Sequence, residues 1–156
     1  CWAELLQRRH EYYFPAAPSF DFLTAQRLVS KAMGWFNRAC ALKTMCGAWH
    51  TSHRMHEQLR KGCVYNCGGT DDLRHYAVCR DWRRLFEGVP ELRCLPGEEI
   101  FHVASTVGVE RCARGFQVYS LLKFRDSLIS FNEATFSRAK EVLNALCAEY
   151  PFRGVR

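Results

Sequence analysis

The sequence predicts an all-α fold, a small helical domain built around one knuckle-type Cys-Cys-His-Cys zinc site. Apolar residues recur at spacings of three and four along most of the 156-residue chain, which is the period of an amphipathic helix. Alternating apolar and polar runs of strand length do not occur, and one short segment contains four closely spaced residues of types that bind zinc. These observations favour helices packed around a metal knuckle.

Four helices are predicted in the basic N-terminal part, residues 1–62, from their apolar periodicity and their capping residues. Their expected positions are residues 2–13, from Ser19 or Asp21 to about 33, 35 to about 49, and Thr51 to about 59. Gly34 separates the second helix from the third, and Lys61-Gly62 ends the fourth.

The cysteine-rich segment is assigned to residues 63–88 and a C-terminal helical pair to residues 89–156, with one compact domain expected overall. The first of these parts includes a helix that continues to about Phe86. A turn-rich connector with two prolines follows, and Glu98-Glu99 favours the start of a short helix. The final pair is predicted from two apolar stripes: Val118, Leu121, Leu122, Leu128 and Ile129, then, after a cap at Asn132, Phe136, Ala139, Leu143, Leu146 and Tyr150.

Composition and charge narrow the class of protein. Hydrophobic residues make up 48% of the chain and charged residues 24%, which is typical of a domain with a buried core and not of a disordered tail. No run of about 18 or more apolar residues occurs, which excludes a membrane-spanning helix.

Residues 1–86 contain 13 basic and 7 acidic residues, whereas residues 87–156 contain nine of each. This excess of positive charge in one half is expected if one face binds a polyanion, although a pI near 8.9 is ordinary by itself.

The nine cysteines indicate a reducing compartment. Their number is odd and no secretory leader follows Cys1, so a secreted disulfide scaffold is not favoured. We therefore expect an intracellular location, in the nucleus or the cytoplasm. We also expect the chain to be part of a longer protein.

Four residues have the spacing of a zinc site: Cys63, Cys67, His75 and Cys79. The pattern is C-x3-C, seven residues, then H-x3-C. Two cysteines can form a tight knuckle around a cation, and Gly68-Gly69 can supply the backbone angles needed to leave it.

The second half of the pattern is expected on a helix. Asp71 or Asp72 can cap this helix, on which His75 and Cys79 would leave the same face. Three thiolates and one imidazole suit tetrahedral Zn²⁺ with no position left for a catalytic water, so the site is interpreted as structural. The alternative is a redox pair with further cysteines and a histidine that are close only by coincidence.

The cysteine-rich segment resembles the zinc-binding region near the C-terminus of LINE-type (non-LTR retrotransposon) reverse transcriptases. The matching residues are Cys63, Cys67-Gly68, Thr70-Asp71-Asp72, His75, Cys79 and Trp82 with Leu85. Residues 49–55 are similar to the family's upstream PT-x-x-R/L stretch, so the resemblance covers roughly residues 35–86. Two features depart from the family: His75 and Cys79 are separated by three residues instead of the more usual four, and His50 replaces the proline.

The resemblance implies a region that helps to grip template RNA or target DNA and that follows the polymerase region of the same parent chain. Several basic residues can reach phosphates: Arg54, Arg60, Lys61, Arg74, Arg80, Arg83 and Arg84. Tyr65, Tyr76 or Trp82 could stack on bases, although Tyr76 and Trp82 are favoured as core residues. The sequence has no recognisable polymerase or nuclease active site, so we expect no enzymatic activity in this part.

Two other functions stay open from sequence alone. The chain could be a zinc-stabilised protein-interaction module whose surface is the neutral C-terminal helical pair, or a degenerate retroelement fragment. A second metal site formed by Cys46, His50, His53 and His56 is conceivable, but ordinary packing of these residues is favoured.

Overall fold

The all-α prediction is confirmed by a computed structural model, which describes residues 2–15, 22–32, 34–56, 58, 61–101, 103, 105–125 and 133–151. Seven α-helices lie in these ranges: α1 (Trp2–Tyr13), α2 (Phe22–Ala32), α3 (Trp35–Met45), α4 (Leu73–Val78), α5 (Arg80–Glu87), α6 (Thr106–Arg125) and α7 (Glu133–Glu149). A short 3₁₀ helix, Pro90–Leu92, lies in the predicted connector. The described residues form no strand, and a single antiparallel bridge joins Gly62 and Thr70. None of the described helices is long and apolar enough to cross a membrane.

Helix α6 is the centre of the domain and packs mainly against α3, with α2 and α7 also in contact. Every residue from 108 to 119 is buried, including the charged side chains of Glu110, Arg111 and Arg114. These charges are compensated inside the protein: Arg114 forms an ion pair with Glu110, and Arg111 forms one with Glu98. A helix that is surrounded by protein on most sides needs no polar face. The sequence of α6 therefore shows only a weak apolar stripe.

The predicted apolar stripes of the C-terminal pair are confirmed in part. Val118 and Leu122 are buried in α6, whereas Leu121 is 38% exposed, and the positions of Leu128 and Ile129 lie outside the described residues. In α7, Ala139 and Leu143 are buried, Phe136 and Leu146 pack half-buried against the core, and Tyr150 lies beyond the helix end and is exposed. The proposed cap at Asn132 also lies outside the described residues.

Trp49 is at the centre of an aromatic core and does not belong to helix α3. The helix ends at Met45, four residues earlier than predicted, and Gly47 follows with φ of 58°, a left-handed backbone that reverses the chain. Trp49 is then fully buried, with its indole Nε1 donating to Thr44 Oγ1 at 2.8 Å. Its ring contacts come from distant parts of the chain, namely Tyr76, Trp82, Phe101, Phe116 and Tyr119.

Two predicted short helices are wrong. Residues 52–56 form hydrogen-bonded turns instead of a helix, although Thr51 does cap them, because its Oγ1 accepts from the Arg54 amide at 3.2 Å. His56 has φ of 52°, which is incompatible with a continuing right-handed helix. At Glu98 no helix begins, since its carboxylate accepts from the Leu95 amide and forms the ion pair with Arg111.

The carboxylate of Asp71 joins three parts of the fold and is itself buried. Its Oδ2 atom accepts from the Ser52 amide at 2.7 Å and from Lys123 Nζ on α6 at 2.9 Å. Its Oδ1 atom accepts from the hydroxyls of Tyr76 at 2.7 Å and Tyr119 at 2.9 Å. Burial alone would raise the pKa of Asp71, but the hydrogen bonds from Lys123, Ser52 and Tyr76 outweigh it and hold this pKa below its usual value.

We predict that Asp71→Ala lowers the free energy of unfolding by about 3–5 kcal/mol, because it leaves Lys123 buried without its counter-charge. The matched control is the neighbouring Asp72→Ala, which removes only a helix cap and should cost about 1 kcal/mol. Urea denaturation of both variants measures the difference. Equal losses would mean that the Asp71 contacts contribute no more than an ordinary cap.

Candidate metal centre

Cys63, Cys67, His75 and Cys79 form a compact cluster in which the four ligand atoms lie within 4.8 Å of one another. Cys79 Sγ is 3.9 Å from Cys63 Sγ and 3.8 Å from Cys67 Sγ. A tetrahedral zinc ion with Zn–S bonds of about 2.3 Å requires sulfur atoms about 3.8 Å apart, so both of these distances suit such an ion. His75 Nε2 lies 3.1 Å from Cys67 Sγ. The predicted Cys-Cys-His-Cys cluster is confirmed as a group that can hold one metal ion.

The first two ligands are positioned by a tight knuckle. The Cys63 amide donates to the Gly69 carbonyl at 2.8 Å, and the Asn66 amide donates to the Cys63 carbonyl at 2.8 Å. Asn66 and Gly68 have φ values of 52° and 89°, the left-handed angles that close the turn. At Gly69 a Cβ atom would lie 2.1 Å from the His75 ring, so only glycine lets that ring reach the cluster.

The last two ligands do not lie on one helix, which corrects the prediction. The predicted helix to Phe86 is divided into α4 and α5 at Cys79, whose φ of −65° and ψ of 125° are extended. Cys79 therefore follows the end of α4 and caps the start of α5. Its sulfur makes no capping hydrogen bond to α5 and lies close to both knuckle cysteines.

The sequence left open which aspartate caps α4, and the structure separates their roles. Asp72 is the cap, and its side chain accepts from the Arg74 amide at 3.3 Å. Asp71 faces inward instead, to the contacts with Lys123 and Tyr119. Those two partners were missed by sequence reasoning, because nothing local links Asp71 to a lysine on α6. The one available signal was an aspartate in excess of what a single cap needs.

The pKa values of the Cys63 and Cys79 thiols are shifted in opposite directions. A hydrogen bond to Cys79 and then burial hold the pKa of Cys63 far above its usual range. The same hydrogen bond lowers the pKa of the Cys79 thiol to about 4 despite its burial. Like charges so close cannot all form without a cation, and a divalent ion would favour the thiolate form of all three. The donor set therefore suits a metal ion.

The second conceivable metal site is not formed. In the described part of the chain, only the Cys63 cluster brings three or more metal-ligating side chains together. His50 packs against Phe124, with ring centroids 4.4 Å apart, and burial followed by the charge of Lys123 lowers its pKa to about 4. His53 lies in the turns after Thr51, where its amide donates to the Asp71 carbonyl at 3.3 Å.

The predicted phosphate-binding residues fall into three groups. Arg54, Lys61, Arg74 and Arg80 are exposed. Arg84 is also exposed, but its guanidinium lies 4.1 Å from the Phe136 ring centroid and 4.0 Å from the Asp81 carboxylate. Arg83 is half-buried and donates to the Glu98 carbonyl at 2.5 Å, which ties it to the connector. Arg60 lies outside the described residues.

The aromatic residues considered for base stacking are all buried. Tyr76 and Trp82 belong to the core around Trp49, as favoured from the sequence. Tyr65 is 8% exposed, with its ring packed against Trp82 and Phe136, so it does not present a stacking face.

Comparison of the chain with protein-family models, with curated proteins and with solved structures finds no match. The resemblance to LINE-type reverse transcriptases therefore stays a prediction, and the site is argued from the residues of this chain.

We predict that the purified chain binds one equivalent of divalent metal. Cys63→Ser or Cys79→Ser should abolish this binding, because each substitution removes a buried sulfur ligand. Elemental analysis gives the content, and the visible absorption of a Co²⁺-loaded sample reports thiolate coordination. Cys46→Ser is the matched control, since Cys46 is half-buried outside the cluster, and it should keep the metal. A well-folded wild-type chain that takes up no metal would contradict the site.

Proposed function

We propose that this chain is a zinc-stabilised nucleic-acid-binding region, in which Zn²⁺ held by the Cys63 cluster fixes a basic surface beside it. The observation that supports zinc is the grouping of three sulfur atoms and one imidazole nitrogen within 4.8 Å of one another, with Cys79 Sγ 3.9 and 3.8 Å from the other two sulfur atoms. Four protein ligands complete the usual coordination of Zn²⁺, so the ion supplies folding energy and no reaction chemistry. We infer a binding role without catalysis.

Exposed basic side chains adjoin three of the four ligands in sequence. Lys61 precedes Cys63 by two residues, Arg74 precedes His75, and Arg80 follows Cys79. Three thiolates and one divalent ion leave the cluster with a net negative charge. The attraction for a polyanion therefore comes from the basic side chains and not from the ion.

Arg54 lies in a loop that hydrogen bonds hold against the same segment. The Ser52 amide donates to the Asp71 carboxylate and the His53 amide to the Asp71 carbonyl, so the loop is fixed on both sides of Ser52. The Lys61 amide donates to Ser52 Oγ at 3.2 Å, which connects the loop to the start of the knuckle. Arg54 and Lys61 thus extend the basic surface from the metal cluster onto the preceding loop.

The chemistry of this surface favours RNA or DNA bound through phosphates, with little dependence on sequence. Exposed guanidinium and ammonium groups bind phosphate oxygens, and such contacts position a strand without identifying its bases. This surface chemistry and the resemblance of the cysteine-rich segment together support a more specific proposal. We propose that the chain is the C-terminal region of a LINE-like reverse transcriptase, that it acts in the nucleus or the cytoplasm, and that it lies next to the polymerase region of its parent chain.

Protein interaction is a second candidate, supported by an exposed aromatic pair at the start of α3. Trp35 is 80% exposed and Phe36 53%, with ring centroids 5.8 Å apart. In the C-terminal helical pair first considered for this role, residues 108–119 of α6 are buried, so α6 offers little surface to a partner. If contact with the polymerase region is the function, Trp35→Ala will abolish its binding in trans, as measured by calorimetry, and leave nucleic-acid affinity unchanged.

We predict that the affinity of the metal-loaded chain for nucleic acid falls steeply with salt. For a single strand, the logarithm of the association constant should fall with the logarithm of salt concentration with a slope of about −0.7 for each phosphate contact. Lys61→Gln and Arg80→Gln should each weaken binding and make the slope shallower by about one contact, as measured by fluorescence anisotropy.

The matched controls are Lys140→Gln and Arg27→Gln, which remove an exposed lysine on α7 and an exposed arginine on α2, both away from the cluster in sequence. Both controls should bind like the wild type. An affinity that barely changes between low and moderate salt, or equal losses in all four variants, would rule out the phosphate-binding surface.

A further inference from the structure

Helix α1 lies against the metal-binding segment and presents an exposed stripe beside it. The helix contacts α4, and its inner residues include His10, which is buried. Leu5, Arg8 and Tyr12 are all exposed and follow one another at spacings of three and four, so they share one face of the helix. This stripe was not singled out from the sequence, because its residues are distant from the cysteine pattern.

Tyr12 and Arg74 form a pair that bridges α1 and α4. The Arg74 guanidinium lies over the Tyr12 ring, 5.0 Å from its centroid. Arg74 is in the first turn of α4, directly before the ligand His75, so the metal cluster fixes the backbone that positions it. The Tyr12 ring is 53% exposed, in contrast to the fully buried Tyr76 and Tyr119. The pair is therefore at the surface and is not part of the aromatic core.

The surroundings of this pair are suited to a polyanion. Arg8 is exposed and lies one helical turn before Tyr12, so a second guanidinium is on the same face of α1 as the Tyr12 ring. Glu4 and Glu11 lie within one turn of Arg8, where Glu11 accepts from Gln7 at 3.1 Å, and Asp72 caps α4; Arg8, Arg9 and Arg74 match these three carboxylates in number. A half-exposed aromatic ring beneath one guanidinium, with a second arginine one turn away on its helix, combines a stacking surface with phosphate-binding groups.

We propose that Tyr12 and Arg74 form a stacking site for an unpaired base of single-stranded nucleic acid, with Arg8 binding a neighbouring phosphate. The proposal rests on the proposed function and specifies its ligand as a single strand. An exposed ring and a guanidinium plane can stack on any base, but only where the base is not already stacked and paired in a duplex. The site therefore supplies the stacking that the buried Tyr65, Tyr76 and Trp82 do not provide.

The test compares two substitutions of one side chain on the full, metal-loaded chain. Tyr12→Leu removes the ring and Tyr12→Phe keeps it. The probes are a fluorescein-labelled oligothymidylate and a duplex of the same length, and binding is measured by anisotropy. We expect Tyr12→Leu to weaken single-strand binding about 5- to 100-fold, in the range of one lost base stack, and Tyr12→Phe to bind like the wild type.

Two further readouts separate stacking from charge and from folding. Tyr12→Leu should leave duplex affinity and the salt dependence of binding unchanged, since no phosphate contact is lost. Arg74→Gln should weaken single-strand binding and also make the salt slope shallower by about one contact. Metal content and helical circular dichroism of each variant must equal those of the wild type, because neither Tyr12 nor Arg74 belongs to the cluster.

Each contrary outcome identifies which claim fails. Wild-type affinity for the single strand in the folded Tyr12→Leu variant would overturn the stacking site and leave the proposed function intact. Equal losses on single strand and duplex would also overturn it, since Tyr12 would then act without an unpaired base. Binding of neither probe by the wild type would instead overturn the proposed function itself.

Discussion

The buried carboxylate of Asp71 is the interaction on which the arrangement of the metal segment depends. Four hydrogen bonds converge on it, from the amide of Ser52, the hydroxyls of Tyr76 and Tyr119, and the ammonium group of Lys123. These donors come from the loop before the knuckle, from α4 and from the central helix α6. A charged carboxylate is tolerated inside the protein only when it is paired and hydrogen-bonded, so the three elements must meet in one geometry.

The metal cluster and the Asp71 contacts constrain the same short segment. The cluster joins Cys63 and Cys67 to His75 and Cys79, while Asp71 lies between the two halves and connects them to α6. Tyr76 belongs to both regions, since it bonds to Asp71 and follows the ligand His75 directly. Loss of the ion is therefore expected to disturb the placement of α4 and of the basic residues beside it, and not only the cysteines themselves.

Sequence reasoning found the ligands but not their geometry. The four metal-binding residues follow from residue type and spacing, because a knuckle of closely spaced cysteines is a local feature. The break at Cys79 could not be predicted, since it depends on two sulfur atoms brought near from the knuckle. Trp49 lies beyond the end of α3 because of Gly47 and a core assembled from distant rings. Arg83 and Tyr65 are of residue types that bind nucleic acid at surfaces, yet contacts to other parts of the fold bury Tyr65 and half-bury Arg83.

The most direct test of the account is a Zn²⁺ titration of the metal-free chain, with oligothymidylate affinity and amide hydrogen exchange in α4 and α5 measured on the same samples. If the ion orders the basic surface, affinity and exchange protection will rise together and both will saturate at one equivalent of Zn²⁺. If the metal-free chain binds the oligonucleotide as tightly as the loaded chain, zinc does not organise the binding surface and the central claim is wrong.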